Sequence, residues 1–104
     1  MKRGEVRWYK FKSPAKHRPV LILTRDSIIE YLGEVTIAPI TSTIRDIPGE
    51  VILTKQDGLR KDCAVNLDHI QTVSKKKIGS IITTLEPRKM VQVREAIKFS
   101  LNLY

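Results

Sequence analysis

The chain has 104 residues, 41% of them hydrophobic and 29% charged, with one cysteine and a formal net charge of +8; this describes a single soluble domain able to bury about two-thirds of its unfolded surface. No apolar run nears the roughly 20 residues that cross a bilayer, and the polar start Met1-Lys2-Arg3-Gly4-Glu5-Val6 is unlike a secretory leader, so one cytoplasmic domain over residues 1–104 with no membrane contact is expected. Cys63 has no second cysteine for a disulfide, a zinc site or a redox pair.

The first 25 residues carry eight basic side chains (Lys2, Arg3, Arg7, Lys10, Lys12, Lys16, Arg18 and Arg25) against Glu5 alone, so nearly all the excess charge is local. Val6-Arg7-Trp8-Tyr9-Lys10-Phe11 reads as a partly exposed strand, and Pro19-Val20-Leu21-Ile22-Leu23-Thr24 as a buried one. The loop between them delivers Lys16, His17 and Arg18 to a sheet edge. A cationic stretch interleaved with Trp8, Tyr9 and Phe11 suits nucleic acid, pairing phosphates and offering ring faces to bases; a solvated edge that discourages aggregation has the same composition.

Residues 26–33 predict a short helix capped by Asp26 or Ser27 and stopped by Gly33. Strands follow at residues 34–41, 50–53, 63–67 and 70–73, separated by breakers at Gly33, Pro48-Gly49, Asp57-Gly58 and Gly79. Pro39 inside the first of these predicts an edge or a bulge there. Lys75-Lys76-Lys77 reads as a solvated hairpin tip. From Pro87 the apolar residues Met90, Val93, Ile97 and Leu101 recur every three or four, the face of a closing helix whose start at Glu86-Pro87 fits proline's preference for the first turn. The sum is a mainly β fold with short helices, a small bent barrel or sandwich closed by a C-terminal helix.

Catalytic signatures are scarce. There is no Gly-rich phosphate loop, nucleophile elbow or His-x-x-x-His pair, and no metal or cofactor is expected. His17 and His69 lie in different segments and read as polar surface positions, while Cys63 beside Ala64 and Val65 reads as a buried small hydrophobe. Two segments stand out. Arg18 precedes the proline that opens a buried strand, and Thr41-Ser42 closes another, Ala38-Pro39-Ile40-Thr41-Ser42. An arginine fork and a short hydroxyl donor on rigid strand ends are what a phosphoryl group requires.

The ordered segments Gly4-Glu5-Val6, Arg18-Pro19-Val20-Leu21-Ile22-Leu23, Ala38-Pro39-Ile40-Thr41-Ser42, Pro48-Gly49-Glu50-Val51 and Gly58-Leu59-Arg60-Lys61-Asp62-Cys63-Ala64-Val65 resemble the MazF/PemK family of toxin endoribonucleases, nearly end to end. The resemblance implies an SH3-like β-barrel of the CcdB/MazF type with a C-terminal helix, a homodimer, and a metal-independent ribonuclease. Such an enzyme cuts single-stranded RNA, mRNA included, to 2′,3′-cyclic phosphate and 5′-OH ends, and is restrained by an acidic MazE-like antitoxin. It assigns cleavage to Arg18 and Thr41. Backbone contacts then fall to Lys10, Lys12, Lys16 and His17, assistance to Ser42, and base stacking to Trp8, Tyr9 or Phe11. The chain departs from the family pattern in a short loop at residues 12–17, in Gln71 where an arginine is common, and in Cys63 where a serine is common. A non-catalytic module on the same fold, a gyrase poison or an inactive RNA-binding relative, is the alternative.

Overall fold

The computed structural model describes residues 1–11 and 17–104. Seven strands, β1 (Glu5–Lys10), β2 (His17–Ile22), β3 (Glu34–Thr41), β4 (Glu50–Leu53), β5 (Cys63–Asn66), β6 (Gln71–Ser74) and β7 (Ile78–Thr84), accompany the short helix α1 (Asp26–Ile29) and the closing helix α2 (Pro87–Ser100). Every strand pair is antiparallel, and the order is β4-β5-β3-β2-β1-β7, with β6 also on β3. The ladder does not join β4 to β7, so the expected barrel is curled and left open along one seam. Among the described residues no helix is long and apolar enough to cross a membrane.

Alternation along the strands sends side chains to two sides of the sheet, and both sides are covered. Val6, Leu21, Ala38 and Ile40 join Val51, Leu53, Val65, Leu67 and, from α2, Val93 and Ala96 in the larger core. Tyr9, Val20, Ile22, Val35, Ile37 and Val73 form the smaller core with Ile29 of α1. α2 starts as its sequence predicts, with Glu86 at the N-cap and Pro87 in the first turn. It ends on Asn102 at φ 56°, with Leu103 N donating to Lys98 O at 2.8 Å and Asn102 N to Phe99 O at 3.2 Å, the paired C-terminal bonds of a Schellman motif. Met90 and Ile97 pack partly against the core, whereas Leu101, past the last turn, is exposed.

Pro39 departs from the expected edge or bulge, because β3 is the most connected strand of the sheet. Its first half pairs with β6 through Ile37 and its end pairs with β5 from Ile40, so Pro39 falls in the gap between two neighbours, where no partner needs its missing N–H. The expected breaker at Gly79 lies inside a strand. β7 escapes the periodicity because two register shifts against β1, between Val6 and Arg7 and between Arg7 and Tyr9, interrupt its alternation.

Candidate functional site

The β2–β3 ladder runs from Ile22↔Ile37 to Val20↔Pro39 and stops. Pro19, next in the ladder, has no N–H with which to extend it, so beyond this point β2 and β3 stop pairing with each other. Arg18 and Thr41 sit just beyond the last pair of that ladder, on the neighbouring ends of β2 and β3. The two residues that stand apart in the sequence thus form one ridge at the mouth of the sheet.

Two depressions meet on that ridge, and Arg18, Ile40 and Thr41 line both. The first, about 660 Å³, occupies the open seam: Trp8, Ile81 and Ile82 from β1 and β7 form one wall, and Gly58, Leu59, Arg60 and Lys61 from the turn after β4 form the other. The second, about 430 Å³, lies on the opposite flank and is lined by Phe11, Arg45, Asn66, His69 and Gln71. Among the described residues no carboxylate lines either lobe, while Arg18, Arg45, Arg60 and Lys61 do. Among the described residues none of these four side chains makes an ion pair or hydrogen bond, unlike Arg3, Arg7, Lys75, Lys89, Arg94 and Lys98 elsewhere. Four unpaired cations around one acid-free cleft make a site for a polyanion.

The hydroxyl on the ridge is oriented by its own turn. Thr43 N donates to Thr41 Oγ1 at 3.1 Å, which occupies a lone pair and leaves the Thr41 O–H free to donate outward. The following loop is tethered by Glu50, whose Oε1 accepts from Arg45 N at 3.0 Å and Asp46 N at 3.1 Å, holding Arg45 over the second lobe. Opposite it, burial pushes the Cys63 thiol up, and Asp62 and Asp57 add to the shift against Lys61. Cys63 is therefore a neutral buried thiol on the floor of the first lobe, in line with its reading as a small hydrophobe. Among the described residues no three His, Cys, Asp or Glu side chains converge as a metal site would require.

The residues singled out from the sequence are distributed unevenly. Arg18, Thr41, Ser42, Trp8 and Phe11 line the lobes. Lys10 and His17, paired across β1 and β2, are exposed but line neither lobe. Lys12 and Lys16 fall outside the described residues. Tyr9 does not serve as a stacking surface: it is 7% exposed, lies in the smaller core, and meets Phe11 edge-on with centroids 4.5 Å apart, because alternation turns it to the face opposite Trp8. Arg45, Arg60, Lys61, Asn66, His69 and Gln71 were not selected by periodicity. The signals for them were the run Gly58-Leu59-Arg60-Lys61, part of the resembled segments, and Gln71, which stands where the resembled family commonly has an arginine. Lys75, read as a solvated tip residue, instead donates to Ile29 O at 2.9 Å and ties its turn to α1.

A profile of the PemK-like, MazF-like toxins of type II toxin–antitoxin systems matches residues 2–101. The chain is 34% identical over 101 residues to a probable endoribonuclease MazF2 of Mycobacterium tuberculosis, covering 96% of this chain and 97% of that protein. It is 36% identical over 89 residues to an endoribonuclease MazF of Staphylococcus epidermidis, covering 83% and 74%. Among solved structures, the Mycobacterium tuberculosis toxin MazF-mt6 superposes with a TM-score of 0.87 at 33% identity, covering 94% of this chain and 96% of the other. A mycobacterial endoribonuclease in complex with its cognate antitoxin gives 0.88 at 26% identity, covering 100% and 97%. With the match running almost end to end through both strands of the Arg18–Thr41 ridge, the chain belongs to the PemK-like, MazF-like family of type II toxins.

Proposed function

We propose that the protein is the toxin of a type II toxin–antitoxin pair, an endoribonuclease that cuts single-stranded RNA at short sequence motifs by metal-independent transesterification. The observation that supports this reading is that Arg18 and Thr41 line both halves of a basic, acid-free cleft, where the phosphate between two nucleotides would rest on the ridge with a base in each lobe. The ribose 2′-OH attacks the adjacent phosphorus and loses its proton to solvent, while the P–O5′ bond breaks and O5′ takes up a proton. The products are a 2′,3′-cyclic phosphate and a 5′-OH.

Arg18 stays charged at every accessible pH and offers a planar fork of donors, so its role is to stabilise the extra negative charge of the pentacoordinate phosphorus. The free O–H of Thr41 donates to a nonbridging oxygen, and Ser42 beside it lines the same lobe. Trp8, 37% exposed on the seam, supplies a stacking face for one base. Lys10 extends the cationic surface beyond the ridge, with His17 paired beside it as a polar contact, and Lys12 and Lys16 add to the charge in the sequence.

An acidic antitoxin segment is the matching inhibitor, since the charge that draws RNA draws carboxylates equally, and we infer that the toxin acts as a homodimer. The test is to incubate the protein and its Arg18→Ala variant with a long single-stranded RNA in EDTA and to map the new ends. Discrete cuts with 5′-OH ends from the wild type alone are expected. Intact RNA with two unrelated substrates would overturn the reading in favour of a non-catalytic binder.

A further inference from the structure

The two lobes flanking the ridge differ in chemistry. The first is walled by Trp8, Ile81 and Ile82, whereas the second gathers two carboxamides, Asn66 and Gln71, with His69, Phe11 and Arg45. Asn66 is the buried polar residue of the described chain, 5% exposed. Its Oδ1 accepts from Asp68 N at 3.0 Å and caps the turn Leu67–His69. A backbone N–H requires an acceptor, so this bond fixes the orientation of the amide and leaves the NH₂ as the free end. Among the described residues that Nδ2 has no partner, and it is not one of the polar atoms sealed inside the core, so it opens onto the lobe that Asn66 lines.

Gln71 is fixed the opposite way round. Its Nε2 donates to His69 O at 3.2 Å, which leaves Oε1 as an acceptor. The lobe therefore offers a donor from a rigid, nearly buried strand end, an acceptor from its rim and an aromatic side chain in Phe11, the elements with which proteins read a splayed base of single-stranded RNA.

We propose that this lobe is the base-reading subsite of the toxin, taking one unpaired nucleotide next to the phosphate on the Arg18–Thr41 ridge. It selects a base whose ring carbonyl is flanked by an N–H, uracil or guanine. Asn66 Nδ2 donates to the carbonyl, favoured over a ring nitrogen because Arg18 and Arg45 line the same lobe, and Gln71 Oε1 accepts the neighbouring N–H. The inference rests on the nuclease reading for its biological meaning, but its test reads base preference in two ways.

A pool of single-stranded RNAs with a randomised window is offered to the wild type, Asn66→Asp and Gln71→Leu. Cut products carrying 5′-OH ends are sequenced, and RNAs retained by the protein in EDTA are sequenced separately. Asn66→Asp keeps the oxygen that caps the turn and replaces the donor by an acceptor. At one position adjacent to the cut, preference for uracil or guanine is expected to fall by about 5- to 150-fold, the range of a well-formed base-edge pair, with adenine or cytosine gaining. Gln71→Leu, at an exposed position where folding is not at stake, should relax the same position. Identical base profiles for all three proteins, or changes spread over many positions, would overturn the subsite. If the wild type yields no cuts, the nuclease reading fails by itself, and the retained pool still decides the subsite: enrichment of uracil or guanine that both variants lose supports it, and no enrichment overturns it.

Discussion

Replacing Gly58 by alanine tests how the wall of the seam is built. Gly58 ends the turn Lys55–Asp57 at φ 97°, donating its N–H to Lys55 O at 3.0 Å, a conformation that L side chains resist at a cost of about 1–2 kcal/mol. A Cβ there would also collide with Thr83 Oγ1 and sit 2.7 Å from Thr83 Cβ. Rotating Thr83 moves its hydroxyl away but leaves its Cβ in place, so β7 or the turn must shift by several tenths of an ångström, which overpacking data put at about 1–3 kcal/mol. Together the two contributions predict a loss of roughly 2–5 kcal/mol, or on the order of 10–25 °C in Tm for a domain of this size. Urea and thermal unfolding followed by circular dichroism measure it. Thr83→Ala in the same background should return about 1 kcal/mol, because it removes the Oγ1 and Cγ2 contacts but neither the Cβ overlap nor the backbone strain. A loss below about 0.5 kcal/mol for Gly58→Ala, at the level of ordinary surface substitutions, would refute the close approach of turn and β7 that narrows the seam.

Thr41→Val removes the free donor while keeping shape, and should lower the cleavage rate by on the order of 10²- to 10³-fold, with RNA affinity nearly unchanged in a filter-binding titration. With four unpaired cations lining the cleft, the slope of log affinity for single-stranded RNA against log salt should lie near about −3, whereas a slope near zero would place RNA elsewhere. Cys63 should react slowly with iodoacetamide at neutral pH, since burial first and Asp62 and Asp57 next disfavour its thiolate; rapid labelling of the native protein would contradict that. Burial pushes the Glu5 carboxyl up, but the bond from Arg7 Nε at 2.8 Å, the Lys2 backbone N–H at 3.0 Å and the nearby positive charge outweigh it and hold the group below its ordinary value. Its stabilisation is therefore present above the unfolded-state value of about 4.3 and fades as the pH falls below it, so Glu5→Gln should flatten the acid limb of a stability–pH curve measured between about pH 6 and 3.

The sequence by itself determined the elements whose physics is local. Apolar runs rich in Val and Ile announced β2 and β3, the threefold and fourfold apolar spacing announced α2, and Pro87 set its first turn within one residue. The segment order shared with a toxin family singled out Arg18 and Thr41. What depends on how strands meet was decided only in three dimensions. β7 was invisible because its alternation is broken by bulges that exist only against β1. Tyr9 and Trp8, neighbours of equal aromatic character, part company because alternation puts one in a core and the other on the seam. The second lobe draws Phe11, Arg45 and Asn66 from segments far apart in the chain, and the free ends of Asn66 and Gln71 follow from single hydrogen bonds to backbone atoms that composition and spacing do not reveal. Periodicity reports which face of an element is buried; which side chains share a cleft is set by register and by where Pro19 ends a ladder.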